Sequence, residues 1–269
     1  MSAFAEPVPG MDPFTVELGD LAMSYDVYVG GDGLPLILMH EIDGMARQPF
    51  IDLCDSLAQR GFKVYAPRFF DNMRQGIMVC MRREFVCWAL GQTSPITVWL
   101  AELAAEIERR DTPVGGVGII GMCFSGGLAM ATLTGEGPVK AAVAAQPAMP
   151  WANPAVLFPR RRERDLGMSP ADLARLGQRL RDGTVRVLPM RFLRDSVCPR
   201  ARVEAIAEIE GADEVYYVEG RGHPTLTLQF REGHGHRGSQ AAIEFAAAWL
   251  AEILAEPIPP GATGDDGRA

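Results

Sequence analysis

The stretch GIIGMCFSGG, residues 118–127, decides the fold. An apolar run ends at Cys123, passes through Phe124 and Ser125, and opens into two glycines. A strand that stops here and a helical pattern over 126–134 together make the strand–turn–helix context that lifts a nucleophile above a sheet. The crowded backbone of such a turn demands small neighbours. Gly121 stands two before the cysteine, and Ser125 stands two after it, where the usual pattern has glycine. The motif is therefore G-x-C-x-S-G-G. A cysteine in this place could equally be one more small buried hydrophobe. A phosphate loop is excluded, because no G-x-G-x-x-G and no GK[ST] follows the strand. A thiol at a helix start is expected to have its thiolate favoured by the helix dipole.

Working outward, strand-like and helix-like segments alternate from residue 34. LPLILMH (34–40), KVYAPRF (63–69), GVGIIGM (116–122), VKAAVAAQ (139–146), TVRVLPMRF (184–192) and DEVYYVEG (213–220) read as strands. Several are apolar on both parities, as strands covered on both faces of a parallel sheet should be. Helical patterns lie at 46–60, 97–110, 126–134, 169–181, 199–209 and 238–254. The alternation predicts an α/β fold with a mostly parallel, doubly wound sheet. FTVELGDLAMSYDVYVG (14–30) predicts an antiparallel hairpin on its edge. One domain over 1–255 is expected, with excursions at 70–95 and 149–168 that shape a site above the strand ends. The Pro/Gly-rich acidic tail, 256–269, reads as disordered. There is no internal repeat.

Composition bounds the function. A formal charge of -8 and the lack of a basic patch argue against nucleic acid. Arg160, Arg161 and Arg162 form a short basic run, but Glu163 and Asp165 follow at once. Residues 113–135 carry no charge, yet their seven glycines fit a strand, turn and helix better than a membrane span. The first residues show neither a basic nor an apolar signal region, and five cysteines without paired spacing suggest a reduced, cytoplasmic protein. No Cys/His cluster has metal-ligand spacing, so no metal is expected.

The partners of Cys123 lie downstream. Strand 184–192 runs into LRDSVCP, which puts Asp195 just past its end, and strand 213–220 runs into RGHPTLT, which puts His223 in the next loop. Nucleophile, acid and histidine thus follow one another at three strand ends, in the order a hydrolase of this topology uses. A loop aspartate is more often a cap, and Asp195 could cap the helix near Pro199. His234 and His236 compete with His223, but neither directly follows a strand. The turn after His40 is where a second oxyanion amide would come from, here the Ile42 N–H beside that of Phe124.

HEIDGM (40–45), GMCFSGG (121–127), RDSVCP (194–199) and GRGHPTLT (220–227) together resemble the dienelactone hydrolase family, a cysteine-nucleophile branch of the α/β-hydrolases. The similarity covers about residues 14–252. It implies Cys123 as nucleophile, His223 as base and acid, and Asp195 as the orienting carboxylate. It further implies that Glu41 contacts the resting thiol, and that no metal or organic cofactor takes part. Asp43 stands where the family has an aromatic or apolar residue. Thr227 stands where the type member has an arginine for the substrate carboxylate. These departures predict a preference for neutral substrates, unless Arg74, Arg82 or Arg83 of the first excursion reaches the pocket. The expected activity is hydrolysis of a small-molecule ester or lactone through a thioester. A thioesterase or peptidase, or a binding or redox-sensing module on the same fold, stays open, and the oligomeric state is not legible.

Overall fold

The computed structural model describes residues 9–18, 21–70, 83–84, 86–111, 115–149, 162–231 and 236–256. Eight strands form a single sheet: β1 (Pro9–Leu18), β2 (Leu21–Gly30), β3 (Leu34–Leu38), β4 (Phe62–Arg68), β5 (Val117–Met122), β6 (Val139–Ala145), β7 (Arg186–Arg194) and β8 (Tyr216–Arg221). Their spatial order is β1-β2-β4-β3-β5-β6-β7-β8. β1 and β2 form the expected hairpin, and β2 joins β4 antiparallel. From β4 to β8 every pairing is parallel. This is the mostly parallel α/β sheet with an antiparallel edge hairpin that the alternation predicted, in the α/β-hydrolase fold that the resemblance implied.

Alternate residues of each central strand belong to two different cores. Ile37, Tyr65, Ile119, Ala142 and Val187 face one layer, while Leu36, Val64, Ile120, Val143 and Leu188 face the other. The first layer is covered by α2 (Pro95–Asp111), α3 (Gly126–Thr132), α4 (Pro170–Arg181) and α5 (Arg200–Ala207). The second is covered by α1 (Gln48–Ala58) and α6 (Arg237–Ala255). Both faces of the sheet are thus dry, which explains strands that are apolar on both parities. Each large side chain so buried contributes about 1.5–3 kcal/mol. Cys54 packs in the α1 layer as a small hydrophobe.

The uncharged segment 113–135 is β5, the turn and α3, and among the described residues no helix is long and apolar enough to cross a membrane. Within the first excursion, Trp88 is buried in the α2-side core. Arg74, Cys80 and Arg82 lie outside the described residues, as do Arg160, Arg161, most of the second excursion and the tail from residue 257.

Candidate active site

β5 ends at Met122, and Cys123 adopts φ 56°, a left-handed conformation that costs a side chain about 1 kcal/mol or more. The turn is so tight that a Cβ on Gly121 would lie 2.1 Å from the Ser125 carbonyl oxygen. Only glycine fits there. Ser125, the departure from the usual pattern, is fully buried and at work. Its Oγ accepts from the Met122 N–H at 2.9 Å, and its hydroxyl hydrogen faces the carbonyls of Met122 (2.9 Å) and His40 (3.2 Å). One hydroxyl therefore joins the elbow to the turn that follows β3.

That turn is fixed from its other side by His40. The ring is fully buried among Phe50, Phe69, Phe70 and Phe124. Its Nδ1 lies 2.8 Å from the Glu41 carbonyl, so Nδ1 carries the hydrogen and donates. Nε2 accepts from the Phe69 N–H at 3.2 Å. Met39 N–H donates to the Ile120 carbonyl at 2.9 Å, and the Cys123 carbonyl accepts from Ala148 N–H at 2.9 Å. The N–H groups of Phe124 and Ile42 face the Cys123 thiol and lower its pKa. Burial, followed by the charge of Glu41, outweighs them and pushes the thiol well above its ordinary value. The sequence expectation that a helix start would favour the thiolate is corrected here: the amides act as expected, but desolvation is the larger effect.

Asp195 and His223 meet just beyond the ends of β7 and β8. His223 Nδ1 donates to Asp195 at 2.9 Å (Oδ2) and 3.1 Å (Oδ1). Asp195 Oδ1 also accepts from the N–H groups of Val197 (2.8 Å) and Cys198 (3.0 Å). The buried guanidinium of Arg191 donates to the carbonyls of Leu193, Asp195 and Cys198 at 3.3, 2.9 and 3.1 Å. The acid turn is held from below by a cation that uses backbone oxygens. His223 Nε2 is buried and has no hydrogen-bond partner. Cys198 lies close enough to Asp195 and to the arginines 191 and 202 for their charges to act on it, and burial pushes its thiol up to about 12.

Glu41 occupies the centre of the arrangement. Its Oε1 accepts from Gln146 Nε2 at 2.8 Å and its Oε2 from Thr227 Oγ1 at 3.1 Å. Burial raises its pKa, while His223, Thr227 and Arg231 pull it back down. Arg231 Nη2 lies 3.6 Å from Asp43 and 3.9 Å from Glu41. Asp43 is therefore offset by a cation that sequence reasoning did not find, eight residues beyond His223 rather than four. A pocket of about 530 Å³ opens beside this cluster, lined by Glu41, Asp43, Arg47, Phe50, Thr227, Phe230, Arg231 and their neighbours. It adjoins the Cys123–His223–Asp195 cluster through Glu41 and Thr227; Cys123 and His223 do not line it.

Of the residues expected from sequence, Cys123, Phe124, Glu41, Ile42, Asp43, Asp195, His223 and Thr227 come together. Arg83 stands apart, paired with buried Glu84 at 2.7 Å and facing Tyr25. Arg82 and His234 lie outside the described residues. His236 caps α6, accepting from Ser239 N–H at 3.2 Å through Nδ1. Sequence reasoning missed Gln146, Arg191 and Arg231. No group of three or more His, Cys, Asp or Glu side chains among the described residues is placed to hold a metal.

Comparison with known proteins follows this geometry. Residues 28–160 match the dienelactone hydrolase family. A candidate dienelactone hydrolase from Klebsiella pneumoniae subsp. pneumoniae superposes with a TM-score of 0.58 at 19% identity, over 86% of this chain and 94% of that one. A dienelactone hydrolase from Anabaena variabilis gives 0.60 at 13% identity, over 90% and 97%. A dienelactone hydrolase-like promiscuous phosphotriesterase from metagenomic libraries gives 0.58 at 16%, over 90% and 98%. No curated protein matches. At these identities the structural likeness is one of fold. The sequence match over 28–160, which holds both the Glu41 turn and the Cys123 elbow, is to the dienelactone hydrolase family.

Proposed function

We propose that this chain hydrolyses carboxylic esters or lactones of small molecules through a Cys123–His223–Asp195 triad. What carries the reading is one arrangement: an imidazole oriented by Asp195 and a cysteine strained into an elbow, both facing the same Glu41 carboxylate. With Nδ1–H held by Asp195, Nε2 is the imidazole nitrogen left to take a proton.

At rest the thiol is protonated and turned to the Phe124 and Ile42 amides. When substrate enters, its carbonyl oxygen takes those amides and the thiol turns to His223. Nε2 accepts the thiol proton as Sγ attacks the carbonyl carbon, and the oxyanion forms where the amides already point. Asp195 holds Nδ1–H and stabilises the imidazolium. The imidazolium then gives its proton to the departing alkoxide, leaving a thioester on Cys123. Water attacks the thioester with His223 as base; the acid departs and the thiol regains its proton. Glu41 opposes premature thiolate formation by its charge. No step calls for a metal or cofactor.

The rim of the pocket carries two acids, Glu41 and Asp43, and two cations, Arg47 and Arg231. This balance supports neutral esters or lactones as substrates over carboxylated ones of the same shape. The four described cysteines are free, in keeping with a reducing, cytoplasmic setting. The test is turnover of a p-nitrophenyl ester. Cys123→Ala should abolish it, Cys123→Ser should leave only a small residue, and Cys54→Ala or Cys198→Ala should retain a substantial rate. A folded Cys123→Ala protein with near-parental activity would refute the assignment.

A further inference from the structure

Among the described residues two non-glycine residues have positive φ: Cys123 at 56° and Gln146 at 36°. They follow neighbouring strands. β5 and β6 pair in parallel register up to Met122 and Ala145, so each left-handed residue is the next step of its strand. The strain at Cys123 belongs to the elbow. Gln146 has no such turn motif to account for it. Its side chain is fully buried, its N–H donates to the Met190 carbonyl at 2.7 Å, and its Oε1 is buried without a partner. Strain and an unsatisfied amide oxygen are both unfavourable, and they persist where the surroundings over-determine the residue. The contact that does so is Nε2 donating to Glu41 Oε1 at 2.8 Å.

We propose that Gln146 is a positioning residue of this site that acts through Glu41, bracketing its carboxylate beside the Cys123 thiol together with Thr227. The proposal rests on Cys123 being the nucleophile. Both brackets are neutral donors, and donors to a carboxylate favour its ionised form. The titratable and charged groups facing Glu41 are His223 from the loop after β8, Arg231 from beyond that loop, and Asp43 from its own turn. The thiol faces Glu41 from the elbow, and Cys198 faces the thiol from the acid turn. A fixed negative charge on Glu41 opposes a second one on Sγ. Without the Gln146 amide, the carboxylate shifts toward its neutral acid and loses its orientation. The thiolate then forms at lower pH.

The measurement is the pH dependence of Cys123 carbamidomethylation by iodoacetamide, followed by peptide mass spectrometry. Gln146→Asn tolerates the left-handed backbone but is too short to reach Glu41, and Gln146→Met gives a second variant of similar volume. Both should alkylate faster at neutral pH, by up to about tenfold, the factor that one unit of thiol pKa carries. Glu41→Gln should shift the profile in the same direction. Adding Gln146→Asn to Glu41→Gln should then change nothing further, since residues acting through one another are not additive. An equal effect in both backgrounds, or a lowered melting temperature with an unmoved profile, overturns the proposal. Ester turnover by Cys123→Ala separates the two failures. Retained activity there removes the nucleophile itself, whereas an inactive Cys123→Ala with an unmoved Gln146→Asn profile removes only the role of Gln146.

Discussion

Replacing Ser125 by alanine tests whether the hydroxyl that joins the elbow to the turn after β3 matters to the two amides proposed as the oxyanion hole. The hydroxyl has a single hydrogen, so the contacts to the Met122 N–H and to the Met122 and His40 carbonyls amount to one bond accepted and one shared donation. Each is worth about 1 kcal/mol net, and a buried N–H left unpaired adds about 1 kcal/mol more. The loss is about 2–3 kcal/mol. For a domain of this size that lowers Tm by roughly 5–10 °C.

The kinetic consequence is separate from the stability loss. Phe124 lies on the elbow and Ile42 on the turn after His40, and the hydroxyl ties these two segments. Deleting one oxyanion donor costs about 10²–10³ in kcat. Loosening the pair without deleting either should cost less, about tenfold, with KM little changed because the hole acts mainly in the transition state. Ser125→Gly restores the usual elbow pattern and should nonetheless fall at least as far as Ser125→Ala. Thermal melts and steady-state kinetics on a p-nitrophenyl ester decide the matter. A Ser125→Ala protein with parental Tm and parental kcat would show that the hydroxyl is idle.

Further outcomes are expected. His223→Ala should lose on the order of 10³-fold in kcat, while His236→Ala should keep activity and lose about 1 kcal/mol of stability with its cap on Ser239; the reverse pattern would move the base to His236. Arg231→Ala removes the cation beside Asp43 and Glu41, so the kcat/KM ratio of a neutral ester to its carboxylated twin should rise, and an unchanged ratio would remove the charge argument. Cys54, Cys123 and Cys198 all have raised pKa values in the fold. The unfolded chain therefore releases these protons first, and stability should be fully present below the ordinary thiol value and fall above it, by about 1 kcal/mol per thiol per pH unit. Denaturant titrations on either side of the ordinary thiol value, in the parent and in Cys54→Ala, measure that slope.

The elements were legible because their causes are local. Strands buried on both faces have no polar parity, and α1 and α6 each repeat an apolar face. Strand ends placed Cys123, Asp195 and His223 for the same reason. The thiol's pKa was not legible, because a sequence displays a helix start but not the depth of burial around it. Arg231 was missed because the loop after His223 folds back through the short turn Leu228–Phe230, carrying it to the Asp43 rim. Ser125 was read as merely small, since its partner carbonyl on His40 is 85 residues away.

The sheet order explains why Gln146 in particular escaped notice. β3, β5, β6, β7 and β8 are neighbours, and their carboxyl ends point the same way. β3 leads to Glu41 and Ile42, β5 to Cys123, β7 to Asp195 and β8 to His223. In sequence β6 runs into a glutamine, which neither titrates nor attacks, so no chemical motif marks it. In the sheet β6 lies between β5, which leads to Cys123, and β7, which leads to Asp195. A residue at that position cannot avoid the site, and one that is buried and strained there must bond to a group of the site or destabilise it. Glu41, 105 residues away, is the group whose oxygen Gln146 meets.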